Sequence, residues 1–192
     1  PRPGFIEKMN DRMAKFNAVI PADARVELVY DGTVKEQKLN FTEGPVWLDG
    51  RLYISNMWFA PDFSSGSPQK SNLLVMEPEG VMKVLVQNRQ TNGLMTLGNG
   101  NLLVCDMFGH KIVEMTPDGK IGRTVADKYN GIALDGPNDL VTDSKGGVYF
   151  TDPQFTPGLL KTQPGKAVYY VKPSGEVIRI VNPGEMGQPN GI

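Results

Sequence analysis

The sequence of 192 residues contains a single cysteine and a single histidine, and it has almost no net charge. One cysteine excludes a disulfide framework and a cysteine-based metal motif. One histidine, His110, excludes a mechanism that needs a histidine pair within this chain. Lysine and arginine number 20 and aspartate and glutamate 21, which argues against nucleic acid or an anionic membrane as a partner. No apolar run approaches the length of a membrane span.

Several familiar catalytic motifs are also missing. The sequence has no Gly-x-Ser-x-Gly elbow, which argues against a serine hydrolase. Gly98-Asn99-Gly100 lacks the third glycine and the following helix of a dinucleotide-binding fingerprint. Cys105 lies in a predicted strand and is interpreted as a buried apolar thiol. The first residue is Pro1 rather than Met, so a removed signal peptide, a removed tag and a trimmed sequence are all open, and the compartment is unknown.

What the sequence does contain is a repeat of about 50 residues. Each copy places a polar residue before a short apolar strand, a glycine turn and a second apolar strand that ends in Asn56, Asp106 or Asp152. These three ends are interpreted as hydrogen-bonding turn residues. A third and a fourth strand follow, separated by a turn that begins with proline and ends with glycine. Four short strands in each repeat are typical of one blade of a β-propeller.

The predicted fold is therefore all-β, with an N-terminal extension. Residues 1–40 hold a short amphipathic helix over residues 5–18 and a strand over residues 25–30 that would close the ring. Blade one is predicted to span 41–87, blade two 90–127 and blade three 135–182, and a fourth blade begins at 189–192. Because propellers close with about four to eight blades, these blades alone cannot form a ring. We expect the remainder of the propeller to come from a further segment or a second chain, and this chain alone to be poorly soluble and inactive.

The first polar position of the repeat is the most informative one. Glu43, Asn92, Asn138 and Asn190 occupy it, at spacings of 49, 46 and 52 residues. These four, called the axial residues below, would point into the mouth of the central channel because inner strands run along the propeller axis. One carboxylate and three carboxamides offer oxygen ligands, which suits a Ca²⁺ site; Mg²⁺, Mn²⁺ and Zn²⁺ stay open. Asn92 is interpreted as a residue that lines the site.

Two long connections between the second and third strands are expected to wall this mouth. They run over Met57–Ser71 in blade one and Pro153–Lys166 in blade three. Loops on a rigid scaffold frequently carry binding residues. The aromatic residues Trp58, Phe59 and Phe155 are therefore predicted to shape a substrate pocket.

The motifs together resemble a known family. The stretches Glu43-Gly44-Pro45-Val46-Trp47, Pro137-Asn138-Asp139 with Phe150-Thr151-Asp152-Pro153, and Pro189-Asn190-Gly191 are similar to the gluconolactonase family, also called the senescence marker protein-30 and luciferin-regenerating-enzyme-like family. This resemblance implies a six-bladed propeller with one divalent cation in its channel. It also implies metal ligation by Glu43 and Asn190, with Asn138 contacting metal or substrate. A third ligand, an aspartate that would also be the expected general base, would lie beyond residue 192.

The leading hypothesis is a metal-dependent lactonase that acts on sugar lactones or related cyclic esters. The metal would polarise the lactone carbonyl for attack by water, and Asn92 and Asn138 would donate hydrogen bonds to the substrate. Two alternatives stay open. One is an organophosphate hydrolase of the same architecture, and the other is a non-catalytic binding propeller whose calcium is structural.

Overall fold

The structure, a computed structural model, describes residues 5–21, 23–33, 37–155 and 161–192. Its contacts divide the chain into two compact units, Pro1–Asp31 and Gly32–Ile192. In the first unit, helix α1 spans Phe5–Val19, close to the range predicted from apolar spacing. None of the helices in the described ranges is long and apolar enough to cross a membrane.

The strand predicted over residues 25–30 is not present as a strand in the structure. This segment has no regular secondary structure, and the guanidinium of Arg25 donates to the neighbouring carbonyl oxygens of Asp23 and Ala24. Alternating apolar residues form a strand only beside a partner with which they share a hydrogen-bond ladder. The predicted partner lay beyond residue 192, so ring closure by this segment stays a prediction.

The second unit contains three four-stranded antiparallel sheets, which confirms the all-β prediction. Each sheet is a meander in chain order. The first comprises β1 (Phe41–Leu48), β2 (Arg51–Met57), β3 (Asn72–Met76) and β4 (Met82–Val86); the second comprises β5 (Thr91–Thr96), β6 (Leu102–Asp106), β7 (Lys111–Met115) and β8 (Ile121–Ala126). Between the second and third sheets lie the short strands β9 (Lys128–Tyr129) and β10 (Ile132–Ala133), and the third sheet comprises β11 (Leu140–Thr142), β12 (Val148–Asp152), β13 (Ala167–Val171) and β14 (Val177–Val181).

Consecutive sheets pack face to face through two apolar cores, and β6 contributes to both. Leu102 and Val104 pack against the first sheet, whereas Leu103 and Cys105 pack against the third. Because alternate side chains of a strand point to opposite faces, a strand covered on both faces needs apolar residues at consecutive positions. This explains the apolar run from Leu102 to Cys105, which ends at Asp106. The innermost strand β5 contacts β1 on one side and β11 on the other, as in neighbouring propeller blades.

The tight turns between third and fourth strands follow the sequence prediction. Gly80, Gly119 and Gly175 all have φ between +79° and +87°, a conformation that glycine adopts without steric penalty. Their N–H groups donate to the carbonyl oxygens of Glu77, Thr116 and Lys172 at 2.8–2.9 Å.

Three local features differ from the prediction. The hairpin of β9 and β10 was not predicted, although its Asn130-Gly131 turn has φ of +50° and +78°, as a type I′ turn requires. A 3₁₀-helix over Pro68–Lys70 lies inside the first long connection. Residues 189–192 form no strand, so the start of a fourth blade stays a prediction.

Candidate functional site

The four axial residues line one cavity in the second unit. The cavity has a volume of about 260 Å³, and Glu43, Asn92, Asn138 and Asn190 all lie on its surface. Glu43 lies in β1 and Asn92 in β5, whereas Asn138 lies in the segment just before β11 and Asn190 in the segment that follows the third sheet. The structure therefore brings together residues that are far apart in sequence and share one repeat position.

Each asparagine is held from the preceding sheet through its backbone carbonyl oxygen. The hydroxyl of Ser55 donates to the carbonyl of Asn92 at 2.7 Å, and the N–H of Gly93 donates to that of Asn138 at 2.7 Å. The hydroxyl of Thr151 donates to the carbonyl of Asn190 at 3.0 Å. Because these bonds use main-chain atoms, they fix where each residue sits and leave its side-chain amide free.

The side chains of the axial residues have no partner in the described part of the chain. All hydrogen bonds between these four residues and other described residues use backbone atoms. Asn92 and Asn138 are only 5% and 4% exposed, and their amide atoms are not among the fully buried side-chain atoms that lack a partner in the described residues, so these atoms keep accessible surface at the cavity. Unpaired amides and a carboxylate facing one cavity are groups available to a ligand.

A second cavity of about 260 Å³ shares the axial residues and is otherwise lined by their neighbours in sequence. Gly44 has φ of +54°, and a Cβ atom there would collide with the Asn92 carbonyl oxygen. A Cβ at Gly93 would lie 2.8 Å from the carbonyl oxygen of Asn138. Glycine after Glu43 and Asn92 thus permits the close approach of neighbouring inner strands. Asp139 takes this position just before β11, and its carboxylate accepts the N–H of Ile192 at 3.1 Å.

Six of the described residues that line the first cavity are apolar, and they are called the apolar wall: Phe41, Met57, Phe59, Phe63, Met107 and Phe155. Phe59 and Phe155 belong to it as predicted. Met57 and Phe63 lie in the connection predicted to wall the mouth but were not singled out as pocket residues, and Phe41 and Met107 were missed. Two signals in the sequence could have found three of these four residues. Phe41 lies two residues before Glu43 and so shares a face of β1, and Met57 and Met107 follow the equivalent residues Asn56 and Asp106.

Trp58 is not brought to the cavity with the others. Its ring centroid instead lies 4.0 Å from the Lys70 ammonium nitrogen, and the backbone N–H of Trp58 donates to the Ser71 hydroxyl. Trp58 and Phe59 are consecutive in an extended segment, and consecutive side chains there point in opposite directions. Only Phe59 therefore reaches the cavity.

The residues that end the second strands make structural hydrogen bonds, as predicted. Asn56 pairs with the backbone of Asn40 and Lys38, and Asp106 forms an ion pair with Arg89. The Asp152 carboxylate accepts the N–H groups of Asp135 and Gly136 at 2.9 and 2.7 Å.

Burial dominates the electrostatics of the Asp152 carboxyl group. Burial raises its pKa to about 6, and the nearby Asp135 carboxylate adds to this, whereas the hydrogen bonds from the backbone of Asp135 and Gly136 and the nearby His110 oppose it. The group thus binds a proton more tightly than an exposed aspartate.

Neither the cysteine nor the histidine reaches the cavity. Cys105 is fully buried, and its burial raises the pKa of its thiol well above the usual value, so it is an inert core residue as predicted. The imidazole Nδ1 of His110 lies 2.8 Å from the Asp135 carbonyl oxygen. Both residues have structural roles.

Three consecutive four-stranded antiparallel meanders, whose innermost strands contact one another, are typical of the blades of a β-propeller. The chain belongs to the SMP-30/gluconolactonase/LRE-like family, whose model matches residues 41–192. This confirms the resemblance seen in the motifs.

Individual relatives agree with this assignment. A gluconolactonase of Zymomonas mobilis subsp. mobilis is 25% identical over an alignment 201 residues long, which covers 98% of this chain and 53% of the relative. A solved structure described as a candidate gluconolactonase superposes with a TM-score of 0.75 at 21% identity, covering 92% of this chain and 58% of that one. Regucalcin from Agrobacterium tumefaciens, described as a calcium-binding protein, has a TM-score of 0.50 at 13% identity, with coverage of 74% and 43%. The two structures show the fold alone, and the chain spans about half the length of these relatives.

Proposed function

We propose that the protein is a lactonase that hydrolyses sugar lactones or related cyclic esters at the axial cavity. The observation that carries the proposal is the convergence of Glu43, Asn92, Asn138 and Asn190 on one cavity with their side chains unpaired among the described residues. Family membership and the gluconolactonase relative support the same reaction class.

The donor set fits a divalent cation that prefers oxygen. The described residues that line the cavity offer one carboxylate and three amides and include neither histidine nor cysteine. Zinc sites usually contain these nitrogen and sulfur ligands, whereas carboxylate and carbonyl oxygens suit Ca²⁺ or Mg²⁺. We assign Glu43, Asn138 and Asn190 as the residues that would hold the ion, most simply Ca²⁺, as in the calcium-binding regucalcin.

The residues of this chain would then bind and orient the substrate. A bound cation would supply Lewis-acid polarisation of the lactone carbonyl. The Asn92 and Asn138 amides would donate hydrogen bonds to the ring oxygens, and the Glu43 carboxylate would supply the negative charge that attracts the cation. The apolar wall would exclude water from one side of the ring. We assign no general base within this chain.

A lactone panel tests the proposal. The complete protein, assayed in weak buffer by the release of acid, should open glucono-δ-lactone or a simple δ-lactone. Chelation should remove this activity and added Ca²⁺ should restore it. An aryl phosphotriester cleaved while all lactones are left intact would favour the phosphotriesterase alternative. Cation binding without hydrolysis of any substrate would favour a binding propeller.

A further inference from the structure

The described residues that line the candidate cavity fall into two sets: the four axial residues are polar, and the other six are phenylalanine or methionine. Four of those six are aromatic, an apolar lining that a polyhydroxylated ring does not require. A sugar lactone carries hydroxyl groups around its ring, and each loses hydration when it is buried. Burying a hydroxyl without a hydrogen-bond partner is unfavourable.

Three rings of the wall form a preassembled cluster. The centroids of Phe41 and Phe59 are 5.4 Å apart at an interplanar angle of 82°, and those of Phe41 and Phe63 are 5.8 Å apart at 81°. Edge-to-face packing at these distances is favourable. The rings therefore hold one another in place before any ligand arrives.

Phe63 lies in a turn that is closed by several hydrogen bonds, although 57% of the residue is exposed. Its N–H donates to the Ala60 carbonyl at 2.8 Å, and the N–H of Ala60 donates to the Ser65 carbonyl at 2.9 Å. The Asp62 carboxylate accepts the N–H of Ser64 at 3.0 Å. Phe63 itself has φ of +56°, which is uncommon for a large side chain. A strained backbone that holds an exposed aromatic ring at the rim of a cavity is typical of a ligand-contacting position.

From this arrangement we infer the substrate class: lactones that carry an alkyl or aryl substituent, with the ester group at the axial residues and the substituent against Phe41, Phe59 and Phe63. The inference rests on the proposed lactonase function and narrows it. The substituent buries apolar area on the wall, and the ring carbonyl meets the amides, so each part of the ligand meets a surface of matching polarity.

A matched pair of substrates tests the inference. We compare a δ-lactone that carries a pentyl chain with unsubstituted δ-valerolactone and with glucono-δ-lactone, each corrected for its rate of hydrolysis by hydroxide. The complete protein should show at least about ten-fold higher kcat/KM for the pentyl lactone than for either of the others, since one buried methylene alone can give that factor.

Two variants test whether the apolar wall causes the preference for the pentyl lactone. Phe63→Asn removes the ring, and asparagine tolerates positive φ. It should lower kcat/KM for the pentyl lactone more than for δ-valerolactone and bring their ratio towards one. Val81→Asn is the control, because Val81 is similarly exposed at 52% but lies before β4 and does not line the cavity. It should keep the wild-type ratio.

The outcomes separate this inference from the lactonase proposal. Equal rates for the pair, or a preference for glucono-δ-lactone, would overturn the inference and leave the lactonase proposal intact. If no lactone is hydrolysed, the lactonase proposal fails, and calorimetric binding of a pentyl-substituted and an unsubstituted δ-lactam decides the inference. At least about ten-fold tighter binding of the substituted lactam would support an apolar ligand class, and equal binding would overturn it.

Discussion

The buried carboxyl group of Asp152 makes the stability of the fold depend on pH. It joins the third sheet to the segment before β11 through two backbone hydrogen bonds, and its pKa is raised to about 6, mainly by burial. A raised pKa means that the folded protein holds the proton more tightly than the unfolded chain does. The contribution of Asp152 to stability is thus fully present below the unfolded-state pKa near 3.8 and is lost as pH rises through about 6.

This linkage gives a prediction for Asp152→Asn. The free energy of unfolding of the wild type minus that of the variant should fall by on the order of 2–3 kcal/mol between pH 3.5 and pH 7. Urea titrations of both proteins at several pH values measure this difference. The contributions of the other titrating groups largely cancel in it, because both proteins contain those groups. A difference that is constant, or that grows with pH, would show that Asp152 is not the group described.

Single residues of the site were predictable from the sequence where the repeat fixes them. The axial position could be aligned by eye because a propeller gives equivalent residues equivalent places. The sequence could not show which of Trp58 and Phe63 places its ring in the cavity. The connection that contains them differs in sequence from the equivalent connections of the other repeats, and its turn geometry decides which aromatic ring reaches the cavity.

Neighbouring inner strands approach closely enough to explain the glycines that follow axial residues. Gly44 has positive φ and lies against the backbone of the next blade, around Asn92 and Leu94. Gly100 also has positive φ, +82°, but a Cβ atom there would meet nothing within 4 Å. These two glycines therefore differ in steric surroundings and share the conformational constraint.

Alanine at these two positions separates the two effects. Gly100→Ala should lower the free energy of unfolding by about 1–2 kcal/mol, the penalty of a left-handed alanine. Gly44→Ala should cost the same plus about 1–3 kcal/mol for overpacking against Asn92. Urea denaturation of both variants measures the difference. Equal losses would mean that the inner strands are not in close contact at this point.

The strands were predicted well where local pattern and turn chemistry agree, as in the three repeats of proline-to-glycine turns. Residues 25–30 form no strand in the structure, and their pairing stays a prediction, because periodicity alone does not provide a partner strand. The β9–β10 hairpin was missed although its Asn130-Gly131 turn was visible in the sequence, since neither flanking segment shows a run of alternating apolar residues.

For the molecule as a whole, we propose that the axial residues form one cation site. Glu43 lies in β1, Asn92 lies in β5, and Asn138 and Asn190 lie in the segments before β11 and after β14, so the site exists only if the blades are arranged about a common axis. Glu43 is the only carboxylate among the described residues that line the first cavity. Removing its charge should therefore weaken cation binding more than removing any charge outside the cavity.

The most direct measurement is a calorimetric titration of the complete, chelator-treated protein with Ca²⁺. The wild type and Glu79→Gln should bind one ion with the same affinity, because Glu79 is exposed in the turn before β4. Glu43→Gln should lose at least about ten-fold in affinity, comparable to the loss seen when groups around a metal site are altered. The same affinity in all three proteins, or no binding by the wild type, would contradict the account.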